Sequence, residues 1–337
     1  MTYSAMTNNG MRVAVLGGGS WGTTVASLAA HNAETTIWCR NEATVQDINT
    51  LHVNKRYLDG FNLHAELKAT ANMASALATA DVVVMGIPSH SFRETLENAA
   101  PYIRPWVPIV SLTKGLERGT RKRMTEVIND VMPGHPAGAL TGPNLAKEIL
   151  SGGAAAAVVA MADEVIARAL QQIFTTGLFR VYFNDDVVGC ELGGALKNVI
   201  AIASGMADGL GTGDNTRAAV ITRGLNELTH LGMAMGGEAA TFAGLAGMGD
   251  LLATCISSQS RNRHFGEQLG RGRTVAQIAE EMDQVAEGVK SAPVVLELAA
   301  THGIVMPITE AVVGVVTDTT TAEDAYRGLL SRDLGRE

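Results

Sequence analysis

The chain has 337 residues, of which 46% are hydrophobic and 18% charged, and its net charge is −8. This length suggests two domains with sizeable cores, and the apolar composition excludes a largely disordered chain. The acidic balance argues against a surface for duplex nucleic acid. The low aromatic content, 4%, argues against a platform that stacks single-stranded bases.

Membrane and export signals are weak. The longest apolar run, 152–162, is much shorter than the roughly 20 residues of a membrane-spanning helix, so we expect no membrane span. Residues 1–10 lack the basic start and apolar core of a signal peptide, and we interpret them as a mobile tail. The three cysteines form no CxxC pair, which argues against a disulfide framework or a zinc ribbon. These features predict a cytoplasmic protein.

From residue 11 to residue 183, short β-branched segments alternate with segments of helical spacing. This alternation predicts right-handed βαβ units and a parallel, doubly wound sheet with helices on both faces. The predicted strands are Arg12–Leu16, Thr35–Cys39, Ala65–Thr70, Asp81–Gly86, Pro108–Leu112, Ala137–Leu140, Ala155–Ala160 and Phe179–Phe183. The predicted helices between them are Trp21–Ala30, Glu42–Leu51, Ser91–Ala99, Lys122–Val131 and Glu164–Phe174.

The character of the chain changes near residue 184. The cluster Asn184–Asp186 is a plausible N-cap and domain joint, and long periodic segments follow it at Val187–Gly209, Thr216–Ala234 and Val289–Thr301. No convincing strand follows residue 183. We therefore predict an α/β domain over 11–183 and an all-α domain over 184–337.

A glycine-rich turn follows the first predicted strand. Gly17, Gly19 and Gly22 have the GxGxxG spacing, and they lie between a strand and a helix. In such a turn the first glycine permits the sharp bend, the second lets the backbone approach a pyrophosphate, and the third lets helix and strand pack closely. We therefore predict a Rossmann-type domain that binds a dinucleotide, against the alternative of a purely structural turn.

The end of the second strand indicates which dinucleotide is bound. Arg40 stands there, where NAD-specific sites carry a carboxylate, and a guanidinium matches a 2′-phosphate. This favours NADP, with NAD possible, unless Arg40 is an ordinary surface arginine. A second cofactor contact is expected at 86–89, which the alternative explains as a simple βα turn.

Polar residues also occur in settings that do not require them. Lys114 follows the fifth predicted strand. The segment 140–144, which contains Thr141 and Asn144, lies at the end of the sixth. Lys197 and Asn198 interrupt an apolar helix, where Gly193 and Gly194 suggest room for a small ligand; a snorkelling lysine is the alternative.

The segment 244–254 is glycine-rich and contains Asp250 between apolar neighbours. Residues 260–263 after it could form an anion pocket, or simply an exposed basic helix start. The eight histidines form no metal-binding pattern, and we expect no metal site.

Together these segments resemble the NAD(P)-dependent glycerol-3-phosphate dehydrogenase family, bacterial type. The resemblance covers nearly the whole chain from Met11. The matching motifs are GGGSWGT (17–23), NKRYLDG (54–60), SLTKGLE (111–117), LTGPNLAKEI (140–149), ELGGALKNVIAIASG (191–205), FAGLAGMGDLLATC (242–255), SRNRHFG (260–266) and AEG (286–288).

The resemblance implies reduction of dihydroxyacetone phosphate to sn-glycerol 3-phosphate for phospholipid synthesis, with Lys197 as the proton donor, supported by Asp250 and Thr254. It implies substrate contacts by Lys114, Gly142, Asn144, Lys197, Asp250, Ser260, Arg261 and Asn262. It implies cofactor contacts by Gly17, Gly19, Ser20, Trp21, Gly22, Arg40, Lys114, Ala146, Arg261, Val285 and Glu287. Two positions depart from the family's commonest residues. Asn144 stands where the family commonly has serine or threonine, and Gly86 stands where many relatives have alanine or another small residue.

Two other functions are considered. Another two-domain reductase, of the 3-hydroxy acid or ketopantoate type, would need a carboxylate clamp, whereas 260–263 suits a phosphate better. A non-catalytic NADP sensor would leave Lys197, Asp250 and Arg261 without a task. The apolar helical domain also makes a homodimer plausible.

Overall fold

The computed structural model describes residues 10–282 and 286–331. Of the predicted tail, 1–10, only Gly10 lies within these ranges. The chain divides into two compact units: unit 1 extends to Val187, and unit 2 begins at Val188. The predicted joint at 184–186 lies close to this division.

Unit 1 is built on an eight-stranded sheet, and a small hairpin accompanies it. Each of the eight predicted strands is present, with shifted ends. The strands are β1 (Arg12–Leu16), β2 (Glu34–Trp38), β3 (Val53–Asn54), β4 (Asp59–Asn62), β5 (Lys68–Thr70), β6 (Val82–Met85), β7 (Ile109–Ser111), β8 (Ala137–Thr141), β9 (Ala155–Met161) and β10 (Phe179–Asn184). The order in the sheet is β10-β9-β8-β7-β6-β1-β2-β5, and β3 pairs with β4.

The expectation of a parallel sheet is wrong at one pairing. β9 runs antiparallel to β8, whereas β1, β2, β5, β6, β7 and β8 are mutually parallel and β10 is parallel to β9. A parallel crossover takes a dozen or more residues and usually a full helix. The connection at 142–154 contains only a five-residue helix, and the chain therefore returns antiparallel.

Helices cover both faces of this sheet. They are α1 (Ser20–Ala29), α2 (Glu42–Leu51), α3 (Lys55–Leu58), α4 (Met73–Leu77), α5 (Ser89–Ala99), α6 (Met124–Val131), α7 (Ala146–Leu150) and α8 (Glu164–Phe174), with a 3₁₀ turn at Ala100–Tyr102. Along β1, Val13 and Val15 join one core while Ala14 and Leu16 join the other. Both faces are thus buried, which explains why this strand shows no alternation of polar and apolar residues.

Unit 2 is helical, and no strand occurs in its described residues, 188–282 and 286–331. The three long predicted helices are present. The helices are α9 (Val187–Gly209), α10 (Asp214–Ala234), α11 (Ala239–Ala243), α12 (Asp250–Ile256), α13 (Arg261–Gly270), α14 (Val275–Glu281), α15 (Glu287–Thr301), α16 (Pro307–Val316) and α17 (Ala322–Leu330), with a π-helical turn at Leu245–Gly249.

α9 is the central helix of unit 2. By length and composition alone it could cross a membrane, but 89% of its most apolar window is buried inside the protein, as in a core helix. Glycines bring α13 against it: a Cβ on Gly205 would lie 2.0 Å from the Arg263 carbonyl oxygen, and one on Gly266 would lie 2.0 Å from that of Ile202. The two backbones therefore touch, and the helix that carries Lys197 is held rigidly.

Candidate functional site

The glycine-rich turn of unit 1 is tightly packed on one side and open on the other. Gly17 has φ of +117°, and a Cβ there would lie 2.4 Å from the Gly86 carbonyl oxygen. A Cβ on Gly22 would lie 2.2 Å from the Gly17 carbonyl oxygen. A Cβ on Gly19, by contrast, would meet no described atom within 4 Å. This is the arrangement expected if Gly17 and Gly22 shape the turn while Gly19 faces a ligand.

α1 starts from this turn with its amide groups available. Its N-cap is Gly19, and no side chain within the described ranges caps the helix. Backbone N–H groups at a helix start attract phosphate. Ser20 turns its hydroxyl to the Tyr57 carbonyl, 3.2 Å away, and the buried Trp21 Nε1 has no hydrogen-bond partner among the described residues. These features fit a dinucleotide pyrophosphate.

The sheet order places this turn at a topological switch. The chain runs from β1 outward to β2 and β5, then returns to β6 on the other side of β1. Ligands of doubly wound sheets bind at the carboxyl ends of strands at such a point. Arg40 is exposed just beyond the carboxyl end of β2, on the β2–β5 side of the switch.

Lys114 reaches across two strand ends. It lies three residues after β7, and its Nζ donates to the Gly142 carbonyl oxygen beyond β8, 2.8 Å away. Thr113 next to it donates to the Ile87 carbonyl oxygen beyond β6. Gly142 has φ of +127°, and a Cβ there would lie 3.1 Å from the Ala157 Cα of β9. The segments after β6, β7 and β8 thus form one connected edge.

Unsatisfied polar groups mark the same edge. Within the described ranges, the buried Thr141 hydroxyl and both polar atoms of the Asn144 amide have no hydrogen-bond partner. Such groups are rare in folded proteins and call for an explanation. Ala146 begins α7 two residues later. Of the eleven predicted cofactor residues, eight lie in unit 1, Lys114 and Ala146 among them, and all eight follow strand ends at this edge.

The loop that carries Lys114 is fixed by an ion pair that sequence analysis missed. The Arg93 guanidinium of α5 binds both carboxylate oxygens of Glu117, each at 2.8 Å, and also Asp130 of α6 at 3.0 Å. Hydrogen bonding from Arg93 lowers the pKa of Glu117 below its usual value. Glu117 lies in the SLTKGLE motif, where a carboxylate so near the lysine could have suggested this role.

Unit 2 brings its three predicted catalytic residues together. Lys197 of α9 is buried, and its Nζ donates to the buried Asp250 carboxylate and to the Thr254 hydroxyl, 2.5 Å away. Thr254 in turn donates to the Asp250 backbone carbonyl at 2.6 Å. Lys197 is therefore not a snorkelling lysine, because its ammonium group is held inside the unit by a carboxylate.

Gly193, near Lys197, has a different role from the one we expected, whereas the role of Gly194 stays a prediction. A Cβ on Gly193 would lie 2.5 Å from the Ala246 carbonyl oxygen, and one on Gly247 would lie 2.1 Å from that of Phe242, so these two glycines make room for the chain. The π-helical turn, closed by the Gly249 N–H on the Gly244 carbonyl, thus lies directly on α9. Such turns often occur at functional sites. Here it delivers Asp250 to Lys197.

The predicted anion pocket lies at the start of α13. Ser260 caps the helix by accepting from the Arg263 N–H, and Arg263 is paired with Asp208 at 2.8 Å. Arg261 is exposed in the first turn. The resemblance singled out Arg261 and not Arg263, and the structure shows that Arg263 is committed to an ion pair with Asp208.

Asn262 connects three helices. Its Nδ2 donates to Asn198 Oδ1 at 3.0 Å, and its Oδ1 accepts from the Gly288 N–H at 2.9 Å. This places Glu287, the first residue of α15, one position from the bonded Gly288. The predicted cofactor contact at Val285 lies outside the described residues.

Neither a metal nor a reactive thiol marks the described residues. No cluster of metal-binding side chains occurs in them. All three cysteines are free and buried, and burial raises the pKa of the Cys39 thiol to about 11 and that of Cys255 to about 12. At neutral pH the Cys39 and Cys255 thiols are protonated.

Comparison with known proteins agrees with this arrangement. The N-terminal model of the NAD-dependent glycerol-3-phosphate dehydrogenase family matches residues 12–167, and its C-terminal model matches 186–327. Glycerol-3-phosphate dehydrogenase (NAD(P)+) 2 of Sphingopyxis alaskensis is 60% identical over 97% of this chain and 98% of its own. The Mycobacterium avium protein of similar name is 55% identical, over 97% and 96%.

A solved structure is also similar over its full length. The glycerol-3-phosphate dehydrogenase of Coxiella burnetii superposes with a TM-score of 0.90 at 36% identity, covering 96% of this chain and 99% of its own. A Rossmann-type unit with an all-α unit after it is thus confirmed as the fold. The chain belongs to the NAD-dependent glycerol-3-phosphate dehydrogenase family.

Proposed function

We propose that this protein reduces dihydroxyacetone phosphate to sn-glycerol 3-phosphate with NAD(P)H, reversibly, and so supplies glycerol 3-phosphate for phospholipid synthesis. The observation that carries the proposal is the buried Lys197, bonded to Asp250 and Thr254, in a chain whose relatives are named for this activity. A lysine held in this way can give a proton to a carbonyl oxygen while a hydride arrives at its carbon.

Lys197 is the general acid of the reduction. Its Nζ proton moves to the C2 oxygen of the substrate as C2 gains the hydride, and the reverse reaction returns the proton to Nζ. When bound, the nicotinamide cofactor supplies the hydride. Asp250 and Thr254 fix the direction of Nζ and balance its charge. Because the donor is already oriented, less entropy is lost in reaching the reactive geometry.

The substrate phosphate is held at the start of α13. Arg261 supplies a positive charge there, Ser260 and Asn262 supply polar atoms, and the helix start supplies N–H groups. On unit 1, Lys114, Gly142 and Asn144 contribute further substrate contacts. The unpaired Asn144 amide supports this role, since it offers both a donor and an acceptor.

The cofactor lies along the strand-end edge of unit 1. Gly17, Gly19 and Gly22 shape and open the turn, and Arg40 holds a 2′-phosphate, so that NADPH is preferred. The remaining contacts of the proposal are Ser20, Trp21, Lys114, Ala146, Arg261, Val285 and Glu287.

A spectrophotometric assay tests both parts of the proposal. Purified protein is mixed with dihydroxyacetone phosphate and either NADPH or NADH, and loss of the reduced nicotinamide is followed. We expect turnover with both, and with NADPH at least as good. The Arg40→Ser variant should lose about 10-fold to 100-fold in kcat/KM for NADPH and little for NADH. A large preference of the wild-type protein for NADH would refute the role of Arg40.

The competing functions are separated by the same assay. Ketopantoate replaces dihydroxyacetone phosphate in the reductive assay, and a 3-hydroxy acid is supplied with NADP⁺ and followed by the gain of reduced nicotinamide. Faster turnover of either would support the alternative reductase. That alternative is less supported, because the relatives carry the glycerol-3-phosphate dehydrogenase name. Cofactor binding without turnover of any substrate would instead support a sensor.

Two wider properties belong to the proposal. We expect a homodimer in the cytoplasm, and no nucleic acid or membrane partner. Light scattering coupled to size-exclusion chromatography checks the dimer, since a monomer mass at micromolar concentration would contradict it. Cell fractionation checks the location.

A further inference from the structure

One buried side chain outside the sheet holds the glycine-rich turn. Asn54 ends β3 and is completely buried. Its Nδ2 donates to the Gly18 carbonyl oxygen and to the Thr23 hydroxyl, both at 2.9 Å. Its Oδ1 accepts from the Tyr57 N–H and so caps α3. The amide thus uses both donors and its acceptor.

The bond to Gly18 fixes more than one atom. A trans peptide is planar, and its C=O and N–H point in opposite directions. Because Asn54 holds the Gly18 carbonyl, the N–H of the same peptide, which belongs to Gly19, must point away from Asn54. Gly19 is also the position whose open side meets no described atom. The fixed peptide therefore turns its N–H away from Asn54, at a residue where an added Cβ meets open space.

We propose that Asn54 is a positioning residue for cofactor binding, which aims the Gly19 N–H at the pyrophosphate. This inference rests on the proposed function only in placing a dinucleotide at the turn. Asn54 itself touches no ligand. It acts through the peptide between Gly18 and Gly19, in the way that preorganised donors act on charge without reorganising.

Two other contacts also hold the segment around this peptide. A Cβ on Gly18 would lie 2.5 Å from Cys39 Sγ, so the Cys39 side chain packs closely on the turn from β2. The Ser20 hydroxyl donates to the Tyr57 carbonyl, which ties the start of α1 to the same α3 segment. Asn54, Cys39 and the α3 segment thus surround the turn, and among them Asn54 bonds the Gly18 carbonyl oxygen.

The proposal predicts different effects on two parts of the cofactor when Asn54 is lost. The pyrophosphate depends on the Gly19 N–H, whereas the adenosine with its 2′-phosphate is held by other groups. Loss of Asn54 should therefore weaken NADPH but not adenosine 2′-monophosphate, which has no pyrophosphate. A general collapse of unit 1 would weaken both ligands equally.

The test compares Asn54→Ser with Asn49→Ser. Serine at 54 can still cap α3, because serine is a good N-cap, but it is too short to reach Gly18. Asn49 is the matched control: its amide also bonds backbone twice, to the Ala69 carbonyl and N–H, and neither bond involves the glycine-rich turn. Affinities are measured by fluorescence titration for NADPH and by competition for adenosine 2′-monophosphate, and thermal unfolding is followed in parallel.

We expect Asn54→Ser to raise the Kd for NADPH by about 10-fold or more and that for adenosine 2′-monophosphate by less than about 2-fold. Asn49→Ser should change neither Kd. Equal weakening of both ligands, or none, in Asn54→Ser would overturn the proposal. If that variant does not fold, Asn54→Thr, which also keeps a capping hydroxyl and adds no charge, is measured in its place. Wild-type protein that binds neither NADPH nor NADH would instead refute the proposed function.

Discussion

The two units prepare their polar groups in opposite ways. In unit 1 the Thr141 hydroxyl and the Asn144 amide are buried and unpaired within the described residues. In unit 2 Lys197 is already bonded to Asp250 and Thr254. Under the proposed function, unit 1 keeps donors and acceptors for a ligand, whereas unit 2 holds its proton donor in place before a ligand binds.

Glycine shows the same contrast. Gly19 has open space where a side chain would be, but at Gly193 and Gly247 the chain itself fills that space. The same residue type thus leaves open space at the turn of unit 1, where we propose that a ligand binds, and lets two backbones pack in unit 2. A glycine-rich segment does not by itself indicate ligand contact.

Among the variants that test this comparison, Lys197→Ala has the largest expected effect. We expect turnover to fall about 10²-fold to 10⁴-fold, because general acid catalysis is worth this much, while NADPH affinity is retained. Steady-state kinetics and fluorescence titration measure the two effects. Lys290→Ala, an exposed lysine of the same unit, is the control and should behave like wild type.

Removing Lys197 also leaves Asp250 buried without its cation, which is destabilising. The double variant Lys197→Ala/Asp250→Ala should recover thermal stability but not turnover. Turnover near that of wild type in the single variant would contradict the assignment of Lys197.

Gly193→Ala tests whether the packing in unit 2 serves catalysis. The added Cβ would meet the Ala246 carbonyl oxygen and push the π-helical turn, with Asp250, away from Lys197. We expect a loss of about 1–3 kcal/mol of stability and about 10²-fold in kcat, at unchanged NADPH affinity. Gly328→Ala, in α17 with no described atom within 4 Å of the new Cβ, should be neutral or slightly stabilising. If Gly193→Ala retains full kcat, the packing is not needed for catalysis.

Gly19→Ala tests the open side of unit 1. No described atom opposes the new Cβ, and the φ of −72° suits alanine, so the unfolding temperature should stay close to that of wild type. The Kd for NADPH should rise about 10-fold, since the Cβ stands where the pyrophosphate approaches. Unchanged affinity would show that the open side does not face the cofactor.

Glu117→Gln has the smallest expected effect. The pair with Arg93 should contribute about 1 kcal/mol at pH 7, as for a well-formed pair near the surface. Because the folded-state pKa of Glu117 is lowered, this contribution is present above the unfolded value, about 4.5, and is lost as the pH falls below it. Urea denaturation at pH 7 and pH 4 compares the variant with wild type.

Glu164→Gln, which breaks the exposed pair with Arg168, is the matched control and should change stability by less than about 0.5 kcal/mol. A difference between Glu117→Gln and wild type that does not depend on pH would contradict the assignment.

Much of the fold could be predicted because its signals are local. β1 is buried on both faces, and this shows in the unbroken apolar run of Val13–Leu16. The direction of β9 could not be predicted in the same way, because it depends on where a 13-residue connection can take the chain and not on the residues of β9. The short α3, α4 and α7 lack the length for a clear period.

The candidate site shows the same limit. Lys197, Asp250 and Thr254 were identified by the resemblance, and the structure places them together. The neighbouring Gly193 was interpreted as ligand space, because a sequence does not say which distant segment fills a gap. Asn54 was missed as well, since the two groups to which its Nδ2 donates, a carbonyl and a hydroxyl, are more than 30 residues away.

The buried cysteines have a practical consequence for experiments on the two units. A thiol shielded in this way reacts with a reagent only when its surroundings open, so its labelling rate measures local opening. Cys39 packs on the glycine-rich turn, and Cys190 and Cys255 lie in the helical core of unit 2. The chain therefore carries its own reporters, one set in each unit, through which local opening of either can be followed without an added label.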